Sequence, residues 1–124
     1  MKAVYATGTN YDDPLSVFEV GTMPESETKP FWSTIRVKSA SVNHHDVWSL
    51  QGVGLSDEQT PMILGTDAAG VLQEDIPVRK GLKAGSEVVL YTFVGTDGAG
   101  VMPGERRSIL SERYAGTMAE YTQV

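Results

Sequence analysis

The chain has 124 residues, of which 40% are apolar and 21% are charged, and its formal net charge is −6. This length and composition predict one ordinary globular domain with a buried core. The acidic balance argues against nucleic-acid binding, which requires clustered Lys and Arg. The absence of cysteine excludes disulfides, thiolate catalysis and cysteine-ligated zinc.

No targeting or membrane-spanning segment is predicted. The first residues, Met1–Tyr5, form a short apolar run without the long apolar core of a signal peptide. The sequence also has no run of about eighteen apolar residues, which a membrane helix requires. We therefore expect a cytoplasmic protein with no membrane partner.

Short strands are predicted in the first third of the chain. Lys2–Ala6 and Leu15–Val20 are apolar or alternating runs, separated by turn-forming clusters of Gly, Asn, Asp and Pro. Gly21–Pro30 is interpreted as a surface connection. In Ser33–Val42, the residues of one face alternate with those of the other, and the apolar face ends in small residues. This pattern predicts a strand that another backbone or a ligand can approach closely.

One helix is predicted at His44–Leu50. Asn43 is a plausible N-cap, and Asp46 at the third helical position can accept a hydrogen bond from the amide of Asn43, as in a capping box. Gly52 is expected to end the helix in a left-handed conformation. These positions predict that Asp46 orders the helix rather than reacts.

Mainly β-strands are predicted in the second half of the chain. Ile63–Glu74 is apolar, and Gly65 and Gly70 within it indicate bulges or close backbone approach. Glu87–Val94 is the strongest predicted strand, because it is rich in Val, Leu, Tyr and Phe. Thr117–Val124 predicts a closing strand.

The segment before the closing strand is rich in glycine. Gly95–Gly104 is interpreted as a loop, and Gly95–Gly100 within it lacks the G-x-G-x-x-G spacing of a dinucleotide-binding turn. Glu105, Arg106 and Arg107 are interpreted as a solvated charged patch, with contact to a partner or a further domain as the alternative.

Several segments together resemble one protein family. In chain order they are MKAV, IRVKSASVNHHDVW, PMILGTDAAGV, GLKAGSEVV and AGTMAEYTQV. Their order and spacing resemble the N-terminal, GroES-like catalytic domain of medium-chain dehydrogenases/reductases, which include alcohol dehydrogenases and zeta-crystallin-like quinone oxidoreductases. The resemblance implies a mainly β fold, a GroES-like partly open β-barrel with one or two short helices. It implies that residues 1–124 are a single domain, a fragment that lacks the Rossmann nucleotide-binding domain.

The resemblance also locates the family's zinc ligands, and this sequence departs from them. A cysteine and a His-Glu pair of the zinc-dependent members correspond here to Asn43, Thr66 and Asp67. Asn and Thr are poor zinc ligands, and one carboxylate does not supply a catalytic site. Gly95–Arg113, where the family carries a structural zinc loop, has no cysteine. We therefore predict no zinc.

The adjacent His44 and His45 suggest a different metal site. Neighbouring side chains on a helix point about 100° apart, so the two imidazoles are not expected to bind one ion. By resemblance, the position of His44 lies near the cofactor pyrophosphate. The position of His45 often carries a proton-relaying hydroxyl, which an imidazole can replace in acid-base work.

The resemblance implies two groups of site residues. The candidate catalytic residues are Asn43, His45, Thr66 and Asp67. The candidate cofactor-binding residues are Asn43, His44 and Trp48. Simpler alternatives remain open: a helix cap for Asn43, a surface or capping role for His45, a structural turn for Asp67, and core packing for Trp48.

The implied function is hydride transfer between NAD(P)H and a small carbonyl, enone or quinone, without zinc. The chain alone is expected to be inactive and to hold no cofactor, because the nucleotide-binding motif is missing. Apolar surface meant for that missing domain predicts self-association into a homo-oligomer. The alternative is a free-standing GroES-like β-domain that acts as a protein-interaction or binding module.

Overall fold

The computed structural model describes residues 1–27, 29–30, 32–76, 81–95 and 108–124. Its helix α1 spans His44–Leu50, and two single-turn 3-10 helices span Pro14–Val17 and Asp57–Gln59. The strands are β1 Lys2–Ala6, β2 Phe18–Thr22, β3 Thr34–Ala40, β4 Met62–Ile63, β5 Ala68–Leu72, β6 Glu87–Val89, β7 Phe93–Val94, β8 Ser108–Ile109 and β9 Tyr121–Gln123. The predicted loop beyond Gly95 and the charged group Glu105, Arg106 and Arg107 lie outside the described residues.

The strands pair into three antiparallel sheets in the described part of the chain. Their orders are β2-β1-β4, β6-β5-β3-β9 and β7-β8. Over the same residues the sheets do not close into a barrel, which confirms the predicted partly open, mainly β fold. No helix among the described residues is long and apolar enough to cross a membrane.

The N-terminal prediction is confirmed for the first strand and shifted for the second. β1 has the predicted bounds and pairs with β2, with Val4 opposite Val20. The predicted strand Leu15–Val20 begins as a 3-10 turn, because Pro14 occupies its first position with a fixed φ. Extended backbone starts only at Phe18.

The predicted strand Ile63–Glu74 is wrong as a single element, since β4 and β5 belong to different sheets. The chain turns between them at Gly65, whose φ of +95° suits glycine. A Cβ at Gly65 would lie 2.5 Å from Thr117 Oγ1, and one at Gly70 would meet the carbonyl oxygen of Arg36. Both glycines therefore allow the predicted close backbone approach.

The predicted strand Glu87–Val94 is likewise divided. β6 pairs with β5, whereas β7 pairs with β8. Between them Leu90 is buried while its neighbours Val89 and Tyr91 are exposed. The β-rich composition is correct for both pieces, but the two pieces have different partners, which composition does not encode.

Two apolar clusters form the core. The first packs the end of α1 against the three-stranded sheet, and its buried members are Ala6, Leu50, Leu55, Met62 and Leu64. The second lies under the larger sheet, and its buried members are Ile35, Ala68, Leu72, Leu90 and Leu110. The predicted closing strand contributes through β9 and through a bridge between Ala119 and Ala3.

Candidate functional site

The start of α1 is held by a buried carboxylate. Asp46 is 4% exposed, and its Oδ2 accepts a hydrogen bond from the N–H of Asn43 at 2.7 Å. Its Oδ1 accepts from the N–H of Gly65 at 2.9 Å. The prediction that Asp46 orders the helix is confirmed, and the same side chain joins the helix to the segment after β4. Gly52 ends the helix with φ +88°, as predicted.

The hydrogen bonds of Asp46 to Asn43 and Gly65 bring three predicted catalytic residues together. The Nδ2 group of Asn43 lies 3.2 Å from Thr66 Oγ1 and 3.1 Å from Asp67 Oδ2. It also lies 3.3 Å from Ser41 Oγ. Asn43 lies 23 and 24 positions from Thr66 and Asp67 in the chain. The three residues form one polar cluster with Ser41, which sequence reasoning missed.

The carboxylate of Asp67 is the charged member of this cluster. Ser41 donates its N–H to Asp67 Oδ1 at 3.1 Å and its hydroxyl at 2.8 Å. Partial burial by itself would raise the pKa of the Asp67 carboxyl, but the hydrogen bonds from Asn43 and Ser41 outweigh that effect. The pKa is therefore lowered from its ordinary value of 3.8, and Asp67 is an ionised acceptor at neutral pH.

The remaining predicted catalytic residue, His45, bonds to different partners. Its Nε2 lies 3.2 Å from Glu112 Oε1, and its Nδ1 lies 3.4 Å from Ser49 Oγ. Sequence reasoning missed Glu112, which is 67 positions from His45. No local pattern marks it, because a single Glu in a polar stretch is ordinarily a solvated residue.

The predicted cofactor residues His44 and Trp48 form an exposed aromatic pair. Their ring centroids are 5.0 Å apart with an edge-to-face angle of 63°. Trp48 is 48% exposed, so the alternative that it packs in the core is wrong. One turn of helix separates the two residues, which places both rings on one side of α1.

The donor set at this site does not fit the family's zinc. The amide of Asn43 uses its N–H groups towards Thr66 and Asp67, and neither an amide N–H nor a threonine hydroxyl replaces a thiolate or an imidazole as a ligand. The imidazoles of His44 and His45 face different partners. Among the described residues, no three His, Cys, Asp or Glu side chains group as metal ligands do.

Comparisons with known proteins identify the family. The family model for the alcohol dehydrogenase GroES-like domain matches residues 29–124. An NAD-dependent alcohol dehydrogenase structure is 33% identical over all of this chain and 37% of its own, with a TM-score of 0.79. A cobalt- and zinc-bound thermostable alcohol dehydrogenase from Pyrobaculum aerophilum is 25% identical over all of this chain and 39% of its own, with a TM-score of 0.79.

A third solved structure extends the likeness at the level of the fold. It is a quinone oxidoreductase from Coxiella burnetii, 21% identical over all of this chain and 35% of its own, with a TM-score of 0.69. No curated protein matches the chain. The chain thus spans well under half the length of these solved structures. Because the family model covers most of the chain, the protein belongs to the alcohol dehydrogenase GroES-like domain family of the medium-chain dehydrogenases/reductases.

Proposed function

We propose that this chain is the N-terminal catalytic domain of a zinc-independent, NAD(P)H-dependent oxidoreductase that acts on a small carbonyl, enone or quinone. The observation that carries the proposal is the polar cluster of Asn43, Thr66 and Asp67, assembled beside the exposed pair of His44 and Trp48. Relatives of the same family are named as alcohol dehydrogenases and a quinone oxidoreductase. The comparisons give no support to a free-standing interaction module.

The cluster provides oriented hydrogen bonds. The Asn43 amide is held by Thr66 and by the Asp67 carboxylate, which itself is held by Ser41. The Thr66 hydroxyl accepts from Asn43 and can donate its own proton to a polar substrate group. Preorganisation of such a donor is a main source of transition-state stabilisation. We assign acceptor polarisation to the Thr66 hydroxyl, and we assign to Asn43 and His45 the positioning of that hydroxyl and of the first turn of α1.

The aromatic pair fits a flat cofactor ring. Trp48 offers exposed apolar ring surface, and the His44 ring lies against it in an edge-to-face arrangement. NAD(P)H supplies the hydride when bound. Most of a dinucleotide needs a Gly-rich turn at a helix N-terminus, so we place the remaining contacts on a nucleotide-binding domain elsewhere in the protein, and we propose that the 124-residue chain alone is inactive.

The experiment measures NAD(P)H oxidation by the full-length gene product with quinones, enones and simple aldehydes, with and without a zinc chelator. We expect turnover with activated acceptors that the chelator leaves unchanged. Substituting Asn43→Ala should lower kcat/KM by about a hundredfold, the order expected for one preorganised donor, because the Thr66 hydroxyl loses the amide that orients it. Asn10→Ala is the matched control, because Asn10 bonds Ser16 in an N-terminal loop.

The outcomes test zinc independence and the oxidoreductase assignment separately. Activity that the chelator abolishes and zinc restores would overturn zinc independence. A gene product without a nucleotide-binding domain, or one with such a domain but no turnover, would overturn the oxidoreductase assignment and leave the interaction module as the function to test.

A further inference from the structure

Three segments that are distant in the sequence meet at Glu112. His45 of α1 places its Nε2 3.2 Å from Glu112 Oε1. Ser108 Oγ, which lies 2.9 Å from the carbonyl oxygen of Ile109, is 3.3 Å from Oε2. The Nε2 group of Gln59 donates to the main-chain carbonyl of Glu112 at 2.9 Å. The contact is partly shielded from water, since the side chains of His45 and Glu112 are 19% and 27% exposed.

The loop after α1 is shaped around this carboxylate. A Cβ at Gly54 would lie 2.6 Å from Glu112 Oε1, and the φ of Gly54 is +79°. Both facts favour glycine at this position, because a side chain would displace the carboxylate and strain the backbone. The loop, the helix and the segment after β8 therefore pack around one carboxylate.

The pairing selects one form of the His45 ring. An ionised carboxylate only accepts hydrogen bonds, so the contact with Glu112 requires the proton on Nε2. In a neutral ring Nδ1 is then an acceptor, and Ser49 Oγ lies 3.4 Å from it. The contact at 3.2 Å with Glu112 is within the usual N–H···O range, whereas 3.4 Å exceeds the usual range for a hydroxyl donor. Glu112 therefore sets the tautomer.

We propose that Glu112 is a positioning residue of the candidate site, which acts through His45 by holding its imidazole as the Nε2–H tautomer. The bond from Nε2 to Glu112 therefore anchors the ring, and with it the first turn of α1, on which His44 lies and which Asn43 caps. The effect on turnover rests on the proposed function, whereas the tautomer is a property of this chain alone.

The first test is ¹⁵N NMR of the His45 ring, at a pH where histidine is ordinarily neutral. The two tautomers place the protonated nitrogen at different ring positions, so their ¹⁵N shifts distinguish them. We expect Nε2–H in the wild type and in Ser49→Ala, and loss of that single form in Glu112→Ala. A wild-type ring protonated at Nδ1 overturns the proposal whatever the variants do. Retention of the single Nε2–H form in Glu112→Ala overturns it as well, whatever the result for Ser49→Ala.

The second test is turnover by the full-length protein. We expect Glu112→Ala to lower kcat about tenfold with little change in KM, as for a residue that orients another. Glu112→Gln should restore most of the rate, because its amide oxygen still accepts from Nε2–H. Glu58→Ala, an exposed glutamate of the nearby 3-10 turn, is the matched control.

The two failures are distinguishable. Wild-type turnover with full activity in Glu112→Ala would overturn the positioning role and leave the proposed function standing. A wild type without turnover would overturn the proposed function, while the NMR experiment would still decide whether Glu112 sets the His45 tautomer.

Discussion

The two core clusters differ in what surrounds them. Leu64 belongs to the first cluster, and the next residue, Gly65, belongs to the polar network of the site. In that network the buried Asp46 has both oxygens hydrogen-bonded. Beside the second cluster, Val89, Tyr91 and Phe93 are exposed, and an open, largely apolar groove has a volume of about 370 Å³. The first region satisfies its polar groups within this chain, whereas the second presents apolar surface that a further domain or a second copy would cover.

The largest expected effect tests whether the two cores are separate. Leu64→Ala and Leu72→Ala each remove a side chain that is 1% exposed, so each should lower the free energy of unfolding by about 2–5 kcal/mol. Only Leu64→Ala should also shift the NMR signals of the Asn43 side-chain amide, because Leu64 precedes Gly65, which bonds Asp46. Urea unfolding and amide spectra of both variants check this. Equal shifts from both would show that the site depends on the two cores alike.

The next effect tests the buried carboxylate of the first region. Asp46→Asn replaces one acceptor oxygen with an NH2 group, which leaves the N–H of either Asn43 or Gly65 facing a donor. The expected cost is about 1–3 kcal/mol in the free energy of unfolding. Asp57→Asn is the comparison, since Asp57 is exposed and accepts both of its bonds from Thr9 on Oδ1, which an asparagine retains. A cost for Asp57→Asn as large as that for Asp46→Asn would contradict the role given to the two buried oxygens of Asp46.

The third effect is a pH dependence at Asp67. Its pKa is lowered in the folded state from the ordinary value of 3.8, so its hydrogen bonds contribute full stability above that value and lose it as the pH falls through the lowered folded-state pKa. The stability difference between the wild type and Asp67→Asn should therefore shrink as the pH falls below the ordinary value of 3.8. Urea midpoints at several pH values measure it. A difference that grows on acidification would mean that the folded state raises this pKa instead.

The smallest effect on stability tests the open face of the second region. Val89 is 83% exposed, so Val89→Thr should change the free energy of unfolding by less than about 0.5 kcal/mol. If this face mediates the proposed self-association, the same variant should weaken it in sedimentation experiments. Val42→Thr, at a similarly exposed valine beside α1, should leave association unchanged. A wild-type chain that stays monomeric at high concentration would contradict the proposal.

The helical part of the site was predictable because its signals are local. The bounds of α1, the cap at Asn43, the acceptor role of Asp46 and the left-handed Gly52 all follow from residues within nine positions of one another. Capping and helix termination depend on such short-range geometry. The same reasoning failed for Trp48, because the helix turns that ring outward, and the tendency of aromatic residues to be buried does not decide the orientation of one helix.

The β conformation of these segments was predictable, but the bounds of the strands and the sheets to which they belong were not. Ile63–Glu74 and Glu87–Val94 each divide between two sheets, because strand pairing is decided by partners far away in the chain. Ser41 and Glu112 were missed for the same reason. Their contacts with Asp67 and His45 span 26 and 67 positions, and nothing in the neighbouring residues marks them.

The sequence by itself determined the mainly β class, the position of the single α-helix in the described residues and the family resemblance. It also determined that the family's three zinc-ligand positions carry Asn, Thr and Asp in place of Cys, His and Glu. These features depend on residue type and short spacing. Only the tertiary structure decided that Asn43, Thr66 and Asp67 share one network while His45 turns to Glu112. Packing of the first core sets which distant backbones meet, and hydrogen bonds then form between whichever polar groups that packing brings within about 3 Å.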